Sequence, residues 1–407
     1  MTSSVVRCAA VMTCALVSVL PVLAAFEKAP GPENVPPLLT TVSGKAVDSV
    51  AVWEKMRRRE IAQTFATEVY GVRPVEKPAD LRFETLRTEE AYGGKAVRKL
   101  VRGTYSGPFG SGELVFSAWI PSGRAKSAAF VHLSPRPAET ADDPKGPRPV
   151  YTLPAEYLVS RGYAAIAVCD YDSAPDWDRA PKAATNGVFR AFGPSSADDR
   201  QHDEWGILSA WAWGASRVMD WIETEPTIDA ARVGVVGLSR NGKAALVAGA
   251  TDTRFAMTVS CCSGMGGAKL NHMESIGSET VRDICVAHRW FAPKFKQWVG
   301  KDTQMPFDQH QFLALVAPRL LYVSSASEDA WAGPRGEFAS CVLATPAWNL
   351  YDKAGLVHHG FPRVDQPLHA GNVGYHLRDG VHDLTLSDWC NYLDFADGHG
   401  WNLSREN

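Results

Sequence analysis

The stretch that most constrains the fold runs from Val233 to Leu246 and reads VGVVGLSRNGKAAL. Its first residues are apolar or small and predict a buried strand, and the residues after Ser239 favour a helix. Gly237 breaks the strand just before the serine. A serine on a sharp strand-to-helix turn is typical of a nucleophile elbow, in which the backbone is strained and passes close to itself. The sequence therefore predicts an α/β fold that presents a nucleophilic serine.

The pattern around this serine differs at one place from the usual G-x-S-x-G. Asn241 occupies the last position, and Gly242 follows one residue later. Asn adopts positive φ more readily than most residues, so the elbow remains compatible with the sequence. Predicted strands and helices alternate along the rest of the chain, which favours an α/β-hydrolase fold: a three-layer sandwich around a mostly parallel sheet.

The termini and composition bound the organisation of the chain. The 407 residues and 45% hydrophobic content suffice for a large core, and a net charge of −3 gives no electrostatic case for a nucleic-acid partner. Arg7, the apolar run 8–22 and the small residues up to Ala25 predict a cleaved signal peptide over 1–25. That run is short for a membrane span. We expect a single catalytic domain over 26–407, exported to the periplasm or the medium and monomeric.

Periodicity predicts the secondary elements in order. Antiparallel strands are expected within 81–120, and long loops at 135–149, 173–203 and 263–300. Parallel strands are predicted at 128–133, 163–169, 255–259, 319–325 and 372–378, and helices at 52–70, 205–224, 338–352 and 385–395.

Cysteine usage argues against a metal centre. Six cysteines remain after the predicted cleavage, with no C-x-x-C pair and no Cys/His metal spacing. Their apolar settings favour buried free thiols over disulfides. No metal or organic cofactor is expected.

A nucleophilic serine needs a base, and the base needs an acid that fixes its tautomer. In this fold the chain order is serine, acid, histidine. His382 follows the last predicted strand, where the base is expected, and we interpret it as the base. His310 precedes a strand and is interpreted as structural or at the rim of the site, and the loop with His358 and His359 is a further approach to the site.

The acid is expected just beyond a late strand. The strand over 319–325 leads directly to Glu328 and Asp329. Asp329 is the preferred acid and Glu328 the alternative, and a third interpretation has both simply solvating a loop.

Two cations lie beside the serine. The backbone N–H of Arg240 is expected in an oxyanion hole, with its guanidinium as a second donor. Lys243 follows Ser239 by about one helical turn and can face the same pocket. Together they suit a substrate with a carboxyl-derived group and hydroxyls, whereas the alternative is an ion pair on the helix surface.

Several segments occur in an order that resembles a known family. They are GLSRNGK at 237–243, SGMGGA at 263–268, WF at 290–291, DQH at 308–310, APR at 317–319, EDAWAGP at 328–334 and GVHD at 380–383. Over 53–395 the chain resembles the glucuronoyl esterases of carbohydrate esterase family 15, in particular the bacterial members.

The resemblance implies an exported serine esterase that cleaves (4-O-methyl-)glucuronoyl esters joining glucuronoxylan to lignin alcohols. It implies Ser239 as nucleophile, His382 as base and Arg240 as oxyanion donor. Lys243 would bind sugar hydroxyls. Glu279 would help hold the sugar, and Trp331 would line the uronate site.

The chain departs from the family pattern at three places. Many members carry the triad glutamate where this chain has Cys262, which leaves Asp329 as the acid of the alternative arrangement. A disulfide next to the serine and histidine is not expected, because the flanking residues are Leu238 and Asp383. The segment 131–136 is unlike the loop rich in glycine and asparagine that the family would predict.

Two other functions remain open at the level of sequence. One is an esterase for acetyl or other carbohydrate esters on the same fold. The other is a carbohydrate-binding protein without catalysis, which the cysteine at position 262 motivates.

Overall fold

The computed structural model describes residues 35–145, 151–176, 187–193, 200–273, 277–286 and 289–401. The predicted signal peptide, 1–25, lies outside these residues. Within the described part of the chain, no helix combines the length and apolarity that a membrane crossing needs.

The core of the fold is one nine-stranded sheet with the order β1-β2-β3-β5-β4-β6-β7-β8-β9. Strands β1 to β3 and the β3–β5 pair are antiparallel, whereas all pairs from β5 to β9 are parallel. The mostly parallel sheet and its antiparallel start confirm the prediction. The strands are β1 Arg82–Ala91, β2 Ala96–Gly107, β3 Gly110–Pro121, β4 Ser127–Ser134, β5 Ala164–Cys169, β6 Ile228–Leu238, β7 Met257–Cys261, β8 Leu320–Ala326 and β9 Val373–Arg378.

Helices connect the strands. The first, α1, covers 50–70 in four consecutive stretches, Val50–Val52, Trp53–Arg57, Arg58–Phe65 and Ala66–Tyr70, of which the second and fourth are π-helical. The others are α2 Ala155–Ser160, α3 Asp170–Ser173, α4 Val188–Phe192, α5 Ile207–Ile222, α6 Arg240–Thr251, α7 Val281–Val286, α8 Gln309–Ala314, α9 Pro334–Ala344, α10 Pro346–Asn349 and α11 Leu386–Gly398. Short 3₁₀ turns lie at Ala138–Thr140, Pro293–Trp298 and Asp302–Gln304.

The parallel strands β4, β5, β6 and β8 contribute to two cores, one on each face of the sheet. In β4, Val131 belongs to the core that contains α5 and α6, and Phe130 to the core that contains α2 and α11. Strands buried on both faces read as continuous apolar runs, which explains why they were recognisable in the sequence. The two helical layers around one sheet confirm the predicted three-layer α/β-hydrolase architecture.

The differences from the predicted elements are local. The helix predicted over 338–352 begins earlier, at Pro334, and divides at Thr345, because Pro346 has no N–H to continue the hydrogen bonds of α9 and starts α10. The loop predicted over 173–203 contains the short helix α4. All six cysteines of 26–407 are free, and five of them are buried.

Candidate active site

Ser239 occupies a strained turn between β6 and α6. Its φ and ψ are 61° and −128°, a conformation that L-residues rarely adopt. The Ser239 N–H donates to the carbonyl of Cys261, at 2.8 Å, which ties the turn to the end of β7. The geometry is that of the predicted elbow, with the serine partly exposed at the carboxyl edge of the sheet.

Two glycines explain how the elbow accommodates Asn241. A Cβ on Gly237 would lie 2.1 Å from the Asn241 carbonyl oxygen, and one on Gly242 would lie 2.9 Å from the Cys261 oxygen. The close backbone approach therefore takes place at positions 237 and 242, not at 241. The Asn241 side chain is buried and donates to the carbonyl of Leu133, at 3.2 Å.

The structure pairs the predicted base with one of the two predicted acids. His382 Nδ1 lies 2.6 Å from Asp329 Oδ2. Burial opposes ionisation of Asp329, but hydrogen bonds from His382 and the Ala332 N–H favour the carboxylate, and its pKa is lowered. Glu328 is exposed, and its backbone N–H donates to the carbonyl of Gly380, at 2.9 Å. The side chain that meets the histidine is thus that of Asp329.

Cys262 lies next to this pair. Its sulfur, an Asp329 carboxylate oxygen and a His382 ring nitrogen all lie within 4.8 Å of one another, the set of side chains in the described residues that could hold a metal ion. A cation bound there would be coordinated by the same Asp329 carboxylate and His382 imidazole that are hydrogen-bonded to each other. The hydrogen bond with Cys261 and burial raise the pKa of the Cys262 thiol, so it stays neutral and cannot balance an imidazolium.

Arg240, directly after the serine, is fixed from two sides. Its Nη1 lies 2.7 Å from Asp176 Oδ2, and this aspartate is almost fully buried. The guanidinium carbon lies 4.6 Å from the centre of the Trp290 ring, within cation–π range. The side chain keeps 22% of its surface exposed, so the cation is held in place and still open to the site.

Lys243, Glu279 and Trp331, which the resemblance assigned to the sugar, form one hydrogen-bonded chain. Lys243 Nζ donates to Glu279 Oε2, at 2.9 Å, and to the carbonyl of Ser263, at 2.5 Å. Trp331 Nε1 donates to the other oxygen of Glu279, at 3.1 Å. The Lys243 side chain is 2% exposed, which contradicts the alternative of an ion pair on the helix surface. The indole of Trp331 is half exposed.

Sequence reasoning assigned no role to three residues that support this site. Asp176 and Trp290 lie in stretches that read as irregular, and their partner Arg240 is distant in sequence. Glu337 is fully buried in α9 and accepts from the N–H groups of Ser263 and Gly264 and the hydroxyl of Ser325. Glu337 thus ties the SGMGGA segment to Ser325 at the end of β8.

The other histidines have structural contacts. His310 is buried in α8, where its Nε2 lies 3.0 Å from the carbonyl oxygen of Pro36, and burial lowers its pKa to about 4. The ring of His358 packs on Phe338 with 5.3 Å between centres, and His359 is exposed. None of these contacts involves Ser239 or Asp329.

Comparisons with known proteins find relatives that match most of the chain. A family model described as "Glucuronyl esterase, fungi" matches residues 165–355. The chain is 32% identical over 403 residues to the carbohydrate esterase MZ0003 of an unknown prokaryotic organism, covering 92% of this chain and 91% of that protein. Among solved structures, a glucuronoyl esterase from Solibacter usitatus superposes with a TM-score of 0.81 and 34% identity, over 89% of this chain and 97% of that one.

A CE15 glucuronoyl esterase from Teredinibacter turnerae also superposes with a TM-score of 0.81, at 30% identity over 93% of this chain and 91% of that one. The likeness therefore extends over nearly the whole chain, in sequence and in fold. The chain belongs to the glucuronoyl esterases of carbohydrate esterase family 15, which are carboxylic ester hydrolases.

Proposed function

We propose that this esterase hydrolyses the (4-O-methyl-)glucuronoyl esters that link glucuronoxylan to lignin alcohols, through Ser239, His382 and Asp329. The observation that carries the proposal is the Asp329–His382 hydrogen bond, at the same edge of the sheet as the strained Ser239 and the Lys243–Glu279–Trp331 chain. The proposal includes removal of 1–25, export of 26–407 as one catalytic domain and action as a monomer.

Acylation begins when Ser239 Oγ attacks the ester carbonyl carbon. His382 takes the hydroxyl proton on Nε2, because Nδ1 is held by Asp329, whose carboxylate stabilises the imidazolium. The oxyanion is stabilised by the backbone N–H of Arg240 at the start of α6, and by its guanidinium. His382 then gives the proton to the departing alcohol, and a glucuronoyl ester of Ser239 is left.

Deacylation repeats the same steps with water. His382 takes a proton from the attacking water, and collapse of the second tetrahedral intermediate releases the uronic acid and restores the Ser239 hydroxyl. Every proton in this cycle moves between Ser239, His382, water and substrate.

The sugar would be held on the other side of the serine. Two of the three N–H donors of Lys243 are committed to Ser263 and Glu279, and we assign the third to a sugar hydroxyl. The exposed face of Trp331 offers an apolar platform for the ring. An uncharged ester avoids the repulsion that Glu279 would impose on a free uronate.

The test is turnover of benzyl glucuronate by three variants. Ser239→Ala should lose at least about three orders of magnitude in kcat, and Asp329→Asn about three to four, because the wrong imidazole tautomer is then favoured. Glu328→Gln, the matched control in the same turn, should stay within about twofold. Undiminished hydrolysis by Ser239→Ala would end the proposed mechanism.

The same assay separates the alternatives. Cleavage of aryl acetates far better than of benzyl glucuronate would assign the site to acetyl esters. Binding of uronate-bearing xylan oligosaccharides without turnover by the parent protein would assign it to a non-catalytic carbohydrate-binding protein. The hydrogen bond between Asp329 and His382 argues against that second outcome, since the acid missing at Cys262 is supplied elsewhere.

A further inference from the structure

A single guanidinium contacts three backbone carbonyls of the loop that carries His382. Arg378, the last residue of β9, donates from Nη1 to the carbonyl of Asp379, at 2.6 Å. Its Nη2 donates to the carbonyls of Val381, at 2.7 Å, and Asp383, at 3.1 Å. The last two carbonyls belong to the residues on either side of His382. One planar fork thus fixes the backbone before and after the imidazole.

Other supports within this loop are few. In the loop 379–383, all of which the structure describes, no backbone hydrogen bond joins two residues of the loop. Gly380 has a φ of +99°, and a Cβ there would lie 3.3 Å from Arg378 Nη1. The loop therefore wraps around the guanidinium.

Arg378 is itself fixed from behind by Asp388. The Arg378 Nε lies 3.0 Å from Asp388 Oδ2, and both side chains are buried. Asp388 also accepts from the N–H and hydroxyl of Thr385, at 2.7 and 2.8 Å, and its Oδ1 lies 2.8 Å from His376 Nε2. Burial opposes the charge on Asp388, but these bonds and Arg378 lower its pKa, so it remains a carboxylate. Rotation of the guanidinium would break its ion pair with Asp388 and its three hydrogen bonds to the loop.

The same loop is joined to the turn that carries the acid. The Ser327 N–H donates to the Arg378 carbonyl, at 2.8 Å, and the Glu328 N–H donates to the Gly380 carbonyl, at 2.9 Å. Ser327 Oγ also donates to Asp379 Oδ1, at 3.0 Å. Displacement of the histidine loop would therefore change the distance between His382 and Asp329.

We propose that Arg378 is a positioning residue for the reaction, one that sets the imidazole of His382 against Asp329 and the substrate without touching either reacting group. The inference rests on the proposed function, because it gives His382 the role of base. Lysine cannot replace it, since an ammonium is a point charge and lacks the planar fork that reaches three carbonyls.

The experiment compares Arg378→Lys and Arg378→Gln with Arg319→Lys. Arg319 is a matched control: its guanidinium also donates to backbone carbonyls, those of Phe255 and Gly249 at 2.6 and 2.7 Å, but at the start of β8, the opposite edge of the sheet. All three variants should lose some thermal stability. The Arg378 variants should lose about 10- to 100-fold in kcat on benzyl glucuronate, as expected for a misplaced base, with KM within about twofold.

A second readout separates positioning from general destabilisation. Guanidinium added to Arg378→Ala, below concentrations that unfold the protein, should restore part of kcat, whereas Arg319→Ala should gain nothing. Three outcomes would overturn the proposal. They are an undiminished kcat in Arg378→Gln, a kcat loss in Arg319→Lys equal to that of the Arg378 variants, and a change in the Arg378 variants that is confined to KM. Ser239→Ala distinguishes the two proposals: if it is inactive while Arg378→Gln is not, only the role of Arg378 fails.

Discussion

At the scale of single residues, the elbow depends on missing side chains as much as on Ser239. The serine holds a φ of 61°, and the turn is closed by backbone that passes Gly237 and Gly242. The atoms that a Cβ at 237 would meet are backbone atoms of Asn241 and Gly242, which cannot rotate away as a flexible side chain could. The strain at the serine is thus maintained by the packing around it.

We expect Gly237→Ala to destabilise the protein by about 3 kcal/mol or more, at the upper end for overpacking, and to reduce esterase activity through displacement of Ser239. Gly398→Ala is the control, because nothing lies within 4 Å of a Cβ at the end of α11. It should be neutral or slightly stabilising, as alanine is in a helix. Thermal melts and kcat of both variants measure the effect, and a Gly237→Ala protein with the parent Tm would show that the elbow can relax.

The candidate site shows how far single residues can be assigned from sequence. The positions of Ser239, His382 and Lys243 were predictable because motif spacing and chain order fix them relative to strands. The choice between Glu328 and Asp329 was not predictable. Side chains of adjacent residues in a turn point in different directions, and only the folded turn decides which of them is buried. The contacts of Arg378 could not be predicted either, because its partners in the loop are backbone carbonyls, which carry no sequence signal.

At the scale of elements, α9 stabilises the segment after β7 through one buried carboxyl group. Glu337 Oε1 accepts from the N–H groups of Ser263 and Gly264, at 2.7 and 3.0 Å, and Oε2 accepts from the hydroxyl of Ser325, at 2.6 Å. Burial outweighs these donors and raises the pKa of Glu337 to about 7. The Ser263 carbonyl also accepts from Lys243, so α9 indirectly supports the Lys243–Glu279 pair.

This pKa makes the stability depend on pH in a definite direction. The folded carboxyl binds its proton more tightly than the unfolded one, so its contribution is greatest below about pH 4.5 and falls until about pH 7. Glu337→Gln should remove this dependence. The free energy of unfolding of the variant minus that of the parent should therefore rise between about pH 4.5 and about pH 7, by at most roughly 3 kcal/mol. Denaturant titrations at several pH values measure it.

The control for that titration is Glu156→Gln, which removes a carboxylate that is 60% exposed in α2. Its profile should run parallel to that of the parent. If the Glu337→Gln profile also runs parallel to that of the parent, Glu337 is ionised throughout. It would then be held by its four hydrogen-bond donors: the N–H and hydroxyl of Ser263, the N–H of Gly264 and the hydroxyl of Ser325.

At the scale of the whole molecule, the sheet brings distant parts of the chain to one edge. Ser239 follows β6, Asp329 follows β8 and His382 follows β9, and these strands are parallel, so their carboxyl ends coincide. The sequence predicted the alternation of strands and helices and the parallel sheet. It did not predict the strand order, with β5 between β3 and β4, because order depends on tertiary pairing rather than on local pattern.

At the same scale, no disulfide joins the cysteines of the described residues, although we propose that the protein is exported to an oxidising compartment. Five of these cysteines are buried, namely Cys169, Cys261, Cys262, Cys285 and Cys341, and burial is the main cause that raises the pKa of Cys285 to about 12. Neutral, inaccessible thiols are poor nucleophiles and resist oxidation. The large double-sided core makes disulfides unnecessary, since cross-links matter most where the core is small.

We therefore expect purified 26–407, denatured without reductant, to react with six equivalents of a thiol reagent. The native protein should react at most at Cys390, the one partly exposed thiol of the six, and reductant should leave Tm unchanged. If two thiols fewer than six reacted, a disulfide between Cys261 and Cys262 would be indicated, because their sulfurs lie 3.8 Å apart. Peptide mapping would locate the bridge. Because Cys262 Sγ lies beside Asp329 and His382, a Cys261–Cys262 bridge should also change kcat, whereas a bridge elsewhere should not.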